Sequence, residues 1–396
     1  LLFRHWLTVA PQLKSPRDEI EALRKQLPAP ATTLVMQERP ADNPRPTFRH
    51  HRGEFLQPKE KVEPGVPAVL PQLPNGEPAN RLTFARWLVS RENPLTARVT
   101  VNRHWQAFFG RGIVRTLDDF GYQGEPPTNP ELLDWLAVEF METSPPVATG
   151  GLSKPWSVKR LHKLIVMSAT YRQSSRVTPE LLAKDPENKL LARGPRVRLE
   201  AEQIRDSALK AAGLLSAKMY GPSVFPPQPA SVTTEGTYGG LPWKVSDGED
   251  RYRRGLYTFA KRTAPYAMGG TFDAPSGEAC VARREVTNTA LQALTMLNDA
   301  VLVEAAQALA RRAVEHPGET EDRAAYLFRL CLVRPPSAGE LTRLAKFYEA
   351  QRARFATDPD RAEAVAGHGE GPAADRAAWT ATARAILNLD EFVTKE

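Results

Sequence analysis

Cysteine is almost absent: Cys280 and Cys331 are the only two in 396 residues. They supply neither a disulfide framework nor a C-x-x-C-H haem attachment site. The seven histidines (His5, His50, His51, His104, His162, His316, His368) form no H-E-x-x-H helix and no Cys/His cluster at zinc spacing, so no His-built metal site is expected. A G-x-S-x-G turn, a P-loop and a G-x-G-x-x-G opening a helix after a strand are all missing, which removes the usual signals of hydrolase, nucleotide and dinucleotide chemistry. No apolar run approaches the roughly 20 residues needed to cross a bilayer, so no membrane span is predicted. The sequence starts at Leu1, and Leu1 to Ala10 lacks the features of a signal peptide. The chain is therefore expected to be a fragment or a processed product.

Proline, in contrast, is plentiful. Thirty-five prolines accompany an ordinary content of 41% hydrophobic and 25% charged residues, a globular composition with long ordered connections. The net charge of +7 is modest for this length, but it is unevenly placed. Between Arg251 and Arg284, seven Lys or Arg face only Asp273 and Glu278, which concentrates five of the excess charges in 34 residues. Nucleic-acid binding is not expected, because no helix-turn-helix, zinc-finger or RNA-binding signature accompanies the positive charge.

Residues 1–80 read as an extended, Pro-rich linker or the end of a preceding domain, with a short hairpin around Thr47 to Val62. From Arg81 the pattern becomes helical, and residues 81–396 are expected to form the main domain. Asn129 and Pro130 mark a helix start before Leu132, Leu133, Leu136 and Phe140. Further amphipathic segments run from Ser157 to Ala169, Ala201 to Leu215, Leu341 to Phe355 and Trp379 to Leu387. Thr289 to Ala313 carries one apolar stripe, but Asn298 and Asp299 can cap a second helix, so two helices with a bend are predicted. After residue 81 only Gly255 to Ala260 has a convincing strand composition. The predicted fold is mainly α: a multi-helix domain with a long Gly/Pro-rich loop insertion at 216–288, at most a small β element, and an extended N-terminal segment. A loop that long is either functional or a small subdomain.

Several ordered blocks carry a family resemblance. Pro94-Leu95-Thr96-Ala97-Arg98-Val99-Thr100-Val101-Asn102-Arg103 is followed by Trp105-Gln106, Phe109-Gly110-Arg111-Gly112 and Asp119-Phe120-Gly121. Ser168-Ala169-Thr170-Tyr171-Arg172, Arg198-Leu199-Glu200-Ala201-Glu202, Phe272-Asp273-Ala274-Pro275 and Leu387-Asn388-Leu389-Asp390-Glu391-Phe392 continue the series. Over roughly residues 34–396 the sequence resembles the planctomycete domain-of-unknown-function family fifteen-fifty-three. The resemblance implies context: an exported multidomain protein of the periplasm or cell envelope, with adjacent N-terminal domains that sometimes include a cytochrome c type domain. Haem c would belong to such an absent domain, and no cofactor is expected in this chain. Asn129, Gly277, Ala290 and Ala300 depart from the family's usual histidine, arginine and two prolines, so roles for the first two do not carry over.

The candidate ligand-binding residues are Arg253, Arg254, Arg262, Asp273 and Arg284, in a loop that also holds Arg251, Lys261, Arg283, Trp243, Tyr252, Tyr257 and Phe259. Guanidinium forks match sulfate, phosphate and carboxylate oxygens, and aromatic faces can stack on sugar rings. An anionic glycan is the predicted ligand. The competing reading has these arginines bridging the loop to acidic helix faces. Glu202 and Asp206 lie four apart on one helical face; they suit paired-carboxylate chemistry, with Arg198 and Arg205 placed to neutralise them. Two function classes follow: an accessory recognition module binding acidic polysaccharide, or a glycan-acting or redox-associated enzyme using Glu202, Asp206, Asp273 or Glu278. Cys280 sits beside Arg283 and Arg284 without a nearby histidine in sequence to serve as its base, and Cys331 falls on an apolar helical face as a core residue.

Overall fold

A computed structural model describes residues 2–27, 32–40, 42–142, 154–229, 243–262 and 264–395. Among them are fifteen helices and two sheets of two strands each, so the fold is mainly α. Two compact units divide between Asn93 and Pro94.

The first unit contains helices α1 (Leu2–Val9), α2 (Lys14–Gln26) and α3 (Arg81–Leu88) and an antiparallel hairpin of β1 (Thr47–His50) and β2 (Pro58–Val62). The hairpin lies where the sequence placed it. Helices α1 and α2 occupy a stretch expected to be extended; the prolines that suggested extended chain cluster downstream of α2, and Pro16 falls in its first turn, where no helical N–H is lost. Asn80 caps α3 by accepting from the Thr83 amide at 2.9 Å, and the Trp87 indole donates to the Pro71 carbonyl at 2.6 Å.

The second unit opens with α4 (Thr96–Phe109), α5 (Pro130–Met141), α6 (Val158–Met167) and α7 (Pro179–Lys184). Val101, Trp105 and Phe109 of α4 meet Leu133, Leu136 and Phe140 of α5 and Leu161 and Ile165 of α6 in one buried core. Each such side chain contributes on the order of 1.5–3 kcal/mol when fully buried. Pro130 begins α5 as its sequence suggested, although the Asn129 side chain makes no capping bond. Ser157 does cap α6, through the Arg160 amide.

A larger core gathers α8 (Ala201–Ala212), α9 (Ala267–Thr271), α10 (Ala290–Asn298), α11 (Ala300–Glu315), α12 (Thr320–Leu332), α13 (Ala338–Ala356) and α15 (Ala373–Leu387), and α14 (Pro359–Ala366) joins α13 and α15 in a smaller cluster of Phe355, Ala362, Ala366 and Ala377. Asp299 accepts from the Val301 and Leu302 amides, starting α11 at a 55° bend after α10. The two helices expected from Asn298 and Asp299 are therefore present. Trp379 is fully buried and stacks on Tyr348 at a centroid distance of 4.1 Å. Strands β3 (Val197–Arg198) and β4 (Thr394–Lys395) pair antiparallel, tying the C-terminal end to the entrance of α8. No single helix among the described residues is long and apolar enough to cross a membrane.

Between α8 and α10 the chain is mostly irregular, and residues 230–242 of the predicted loop lie outside the described residues. Gly255 to Ala260 is not a strand. It starts as a 3-10 turn over Gly255–Tyr257, because the Arg254 and Gly255 carbonyls accept from the Tyr257 and Thr258 amides at 2.9 and 3.0 Å. Among the described residues this segment finds only one bridge, Val224 with Thr258, and its side chains instead pack locally: Phe225 contacts Trp243 and Phe259 with ring centroids 5.2 and 4.9 Å apart.

Candidate functional site

The N-terminal turns of α8 position the candidate site. Glu200 and Gln203 form a reciprocal capping box, so the first helical amides are satisfied internally and the helix start is fixed. One turn on, Glu202 and Asp206 project toward the loop, as their spacing required, but their surroundings push them apart. Burial works against ionisation of Glu202, yet the Arg284 fork outweighs it and holds the carboxyl below its ordinary value. The two guanidinium contacts are 2.5 and 3.1 Å long. Asp206 is raised by burial, only partly opposed by the Gly255 amide, 2.7 Å from Oδ1, and by Arg205 and Arg254. Arg198, expected to help neutralise these carboxylates, turns instead to Gln292 at 2.9 Å and Asp390 at 3.6 Å.

The predicted ligand residues do not converge on one concavity. Arg253 is 1% exposed. Its guanidinium donates to the carbonyls of Pro222, Lys218 and Tyr220 and lies over the Tyr257 ring, 3.7 Å from its centroid. It is a structural clamp on the loop. Arg254 is exposed and 3.8 Å from Asp206. Arg284 is taken up by Glu202, with Glu200 3.6 Å away. Asp273, with a left-handed φ of 62°, accepts from the Thr287 amide and hydroxyl at 2.8 and 2.9 Å. Arg251 pairs with Glu304. The bridging of loop arginines to acidic helix faces accounts for Arg251, Arg254 and Arg284; Arg262 has no hydrogen-bond or ion-pair partner among the described residues.

Arg262 lines a cavity of about 330 Å³ together with Glu202, Arg205, Phe259, Tyr266 and Met268. Sequence reasoning did not select Arg205 or Tyr266 for this role. Arg205 is 1% exposed and donates to the carbonyls of Arg253 and Arg251 at 2.7 and 3.1 Å, but its Nε has no partner among the described residues. The guanidinium is held chiefly by carbonyls, with an Asp206 carboxylate oxygen 3.6 Å away, and its charge opposes the upward pKa shifts of Asp206, Asp299 and Tyr266. Burial, with Asp299 nearby, pushes the Tyr266 hydroxyl up, so it stays a neutral donor. Trp243 lies parallel to the Tyr266 ring at 6.1 Å. The cavity thus combines aromatic and aliphatic walls with a buried cation and a cation at the rim.

A second cavity of about 410 Å³ is lined by Gln106, Arg198, Gln203, Asp273, Arg283 and Arg284. Gly110 ends α4 there with φ 74°, where a side chain would be strained and its Cβ would press to 3.1 Å from Val197. Pro275 belongs to both cavities, and the Glu202–Arg284 pair stands between them, one partner on each side.

Elsewhere α4 and α6 bring together His104 and His162, Nδ1 to Nε2, at 2.9 Å. Burial, then the neighbouring imidazole, lowers the His104 pKa. This pair was missed because its members lie on separate helices with no shared local motif. Among the described residues no group of three or more His, Cys, Asp or Glu side chains is placed to hold a metal ion.

No curated protein and no solved structure matches the chain. A family model described as a protein of unknown function (PSD1, DUF1553) matches residues 80–348, spanning α3 to α13 up to Tyr348 and both cavities. The chain belongs to that family of unknown function, DUF1553.

Proposed function

We propose that the chain is an accessory recognition module and that the cavity beside α8 binds an acidic sugar unit of a polysaccharide. The observation that supports this most is the pairing of Arg262, without a partner among the described residues, with the buried Arg205 around walls formed by Phe259, Tyr266 and Met268. Aromatic and aliphatic walls take the ring face, while guanidinium groups take a carboxylate or sulfate. Export of the protein, and work beside neighbouring domains, are part of this proposal and rest on the usual context of the family.

The test is binding of uronic and sulfated polysaccharides against neutral glucan. The acidic chains bind, salt weakens the binding, and Arg262→Ala lowers affinity by roughly tenfold, the effect of losing one charge-assisted contact. Equal binding of neutral glucan, or an unchanged affinity in a folded Arg262→Ala protein, rejects the reading.

An enzyme is the second reading, favoured by the opposite shifts of Glu202 and Asp206 on one helix face. Against it, Asp206 is not in the cavity lining and its Oδ1 is taken by the Gly255 amide. Release of reducing ends from an acidic glycan, abolished by Glu202→Gln with binding retained, would establish the enzyme instead.

A further inference from the structure

We propose that the two cavities are adjoining subsites of one cleft that takes an internal stretch of an acidic polysaccharide rather than a chain end or a single sugar; this rests on the binding reading above. Two pieces of chain contribute to both cavities, to which the first cavity adds residues from Gly255 to Met268 and the second adds Gln106, Ala107 and Gly110 at the end of α4. From α8 and its approach, Ala201, Glu202 and Arg205 face the first, while Leu199, Glu200 and Gln203 face the second. The loop from Gly269 to Val286 also serves both, crossing between them at Pro275. The Glu202–Arg284 ion pair, with one partner in each lining, therefore marks the ridge between them.

Each side of the ridge offers a cation without an ion-pair partner among the described residues: Arg262 in the first cavity and Arg283 in the second. The other arginines of the second cavity are occupied, Arg198 by Gln292 and Asp390 and Arg284 by Glu202. The ridge itself suits the uncharged part of a sugar. The Glu202 and Arg284 side chains remain 38% and 26% exposed while paired. A carboxylate accepting two N–H donors keeps lone pairs for hydroxyl groups. Sugar hydroxyls can therefore cross a ridge whose charges already cancel, while acid groups of separate units reach Arg262 and Arg283. A ligand confined to one cavity would leave the second cation without use. Each cavity alone is near the lower end of small-ligand sites in size.

Calorimetric titration of the full chain with galacturonic acid, its dimer and its hexamer, and with a matching series of sulfated galactan oligomers, tests the cleft. The hexamer of the preferred series should bind at least about tenfold tighter than the dimer, because a second contact made within one ligand adds to the first. Arg283→Ala should bring the hexamer down to the affinity of the dimer and leave the dimer unchanged, which separates a second contact from mere multiplicity of registers. Arg262→Ala should weaken both. If dimer and hexamer bind alike, or the Arg283 variant binds the hexamer as wild type does, the cleft is rejected while recognition at the first cavity stands. If no oligomer of either series binds, both proposals fall together.

Discussion

Asn102 and Val114 exchange two hydrogen bonds inside the first helical group: the side-chain Nδ2 donates to the Val114 carbonyl at 2.8 Å, and the Val114 amide donates to Oδ1 at 2.9 Å. A fully buried asparagine thus pairs with main chain as a neighbouring strand would. Gly112 allows the approach, since a Cβ there would fall 2.8 Å from Nδ2 and 2.4 Å from the Val114 oxygen. Asn102→Ala leaves a buried donor and acceptor unmet and should cost about 2–4 kcal/mol. Urea denaturation checks this; a midpoint equal to that of wild type would contradict the pairing.

Arg253 and Arg254 are adjacent in sequence and should behave oppositely. Arg253→Ala removes a buried clamp on three carbonyls and should cost about 3 kcal/mol or more. Arg254, exposed and 3.8 Å from Asp206, should cost less than about 1 kcal/mol when changed to alanine. Denaturation curves of the two variants decide the matter, and similar losses would be inconsistent with these environments.

The His104 and His162 contact predicts a pH dependence. Burial keeps the folded His104 pKa below its ordinary 6.5, so the fold prefers the neutral ring. The unfolded chain binds more protons in this range, and stability therefore rises with pH. The contribution is present above about 6.5 and is lost as pH falls through the lower folded value. Melting temperature should drop between about pH 7 and about pH 5, and His104→Gln, which keeps a polar side chain without the titration, should flatten that drop. Parallel profiles for both proteins would show that the pair is silent.

The two thiols should separate by reactivity. Cys280 is exposed, whereas Cys331 packs against the larger core and burial pushes its thiol up to about 12. The thiolate is the reactive form. Iodoacetamide at neutral pH should modify Cys280 in the native protein, and Cys331 only after denaturation. Peptide mapping that finds Cys331 alkylated under native conditions would overturn this assignment.

Helical spacing made much of the fold legible. The apolar stripe of Leu132, Leu133, Leu136 and Phe140 with Pro130 ahead of it gave α5, and Asn298 and Asp299 marked the break between α10 and α11. Gly255 to Ala260 misled because strand composition describes fit to a pleated surface, and among the described residues no partner strand is present beyond the bridge at Val224. The candidate site was legible as a region but not in its wiring. Charge density drew attention to the arginines between 251 and 284, but the fate of each depends on distant groups: Glu202 for Arg284, Glu304 for Arg251, and main-chain carbonyls for Arg253. Arg205 was expected to neutralise a carboxylate and lies 3.6 Å from Asp206, but its burial was not legible because local spacing carries no information about it.

Helix α8 faces two ways, with Glu202 and Arg205 toward the cavity and Ala208, Ala211 and Ala212 toward α11 and its neighbours in the larger core. Side chains this small let the helices approach closely, leaving little slack for a larger residue. The cavity wall is therefore indexed to the interior like a tooth to its root. If the cavity binds as proposed, drift in ligand preference over evolutionary change need not begin there: enlarging Ala211 or Ala212 by a methyl group or two would tilt the helix and re-aim both α8 side chains at once. Relatives with identical cavity residues could then differ in specificity, and the cause would lie in positions that never meet the ligand.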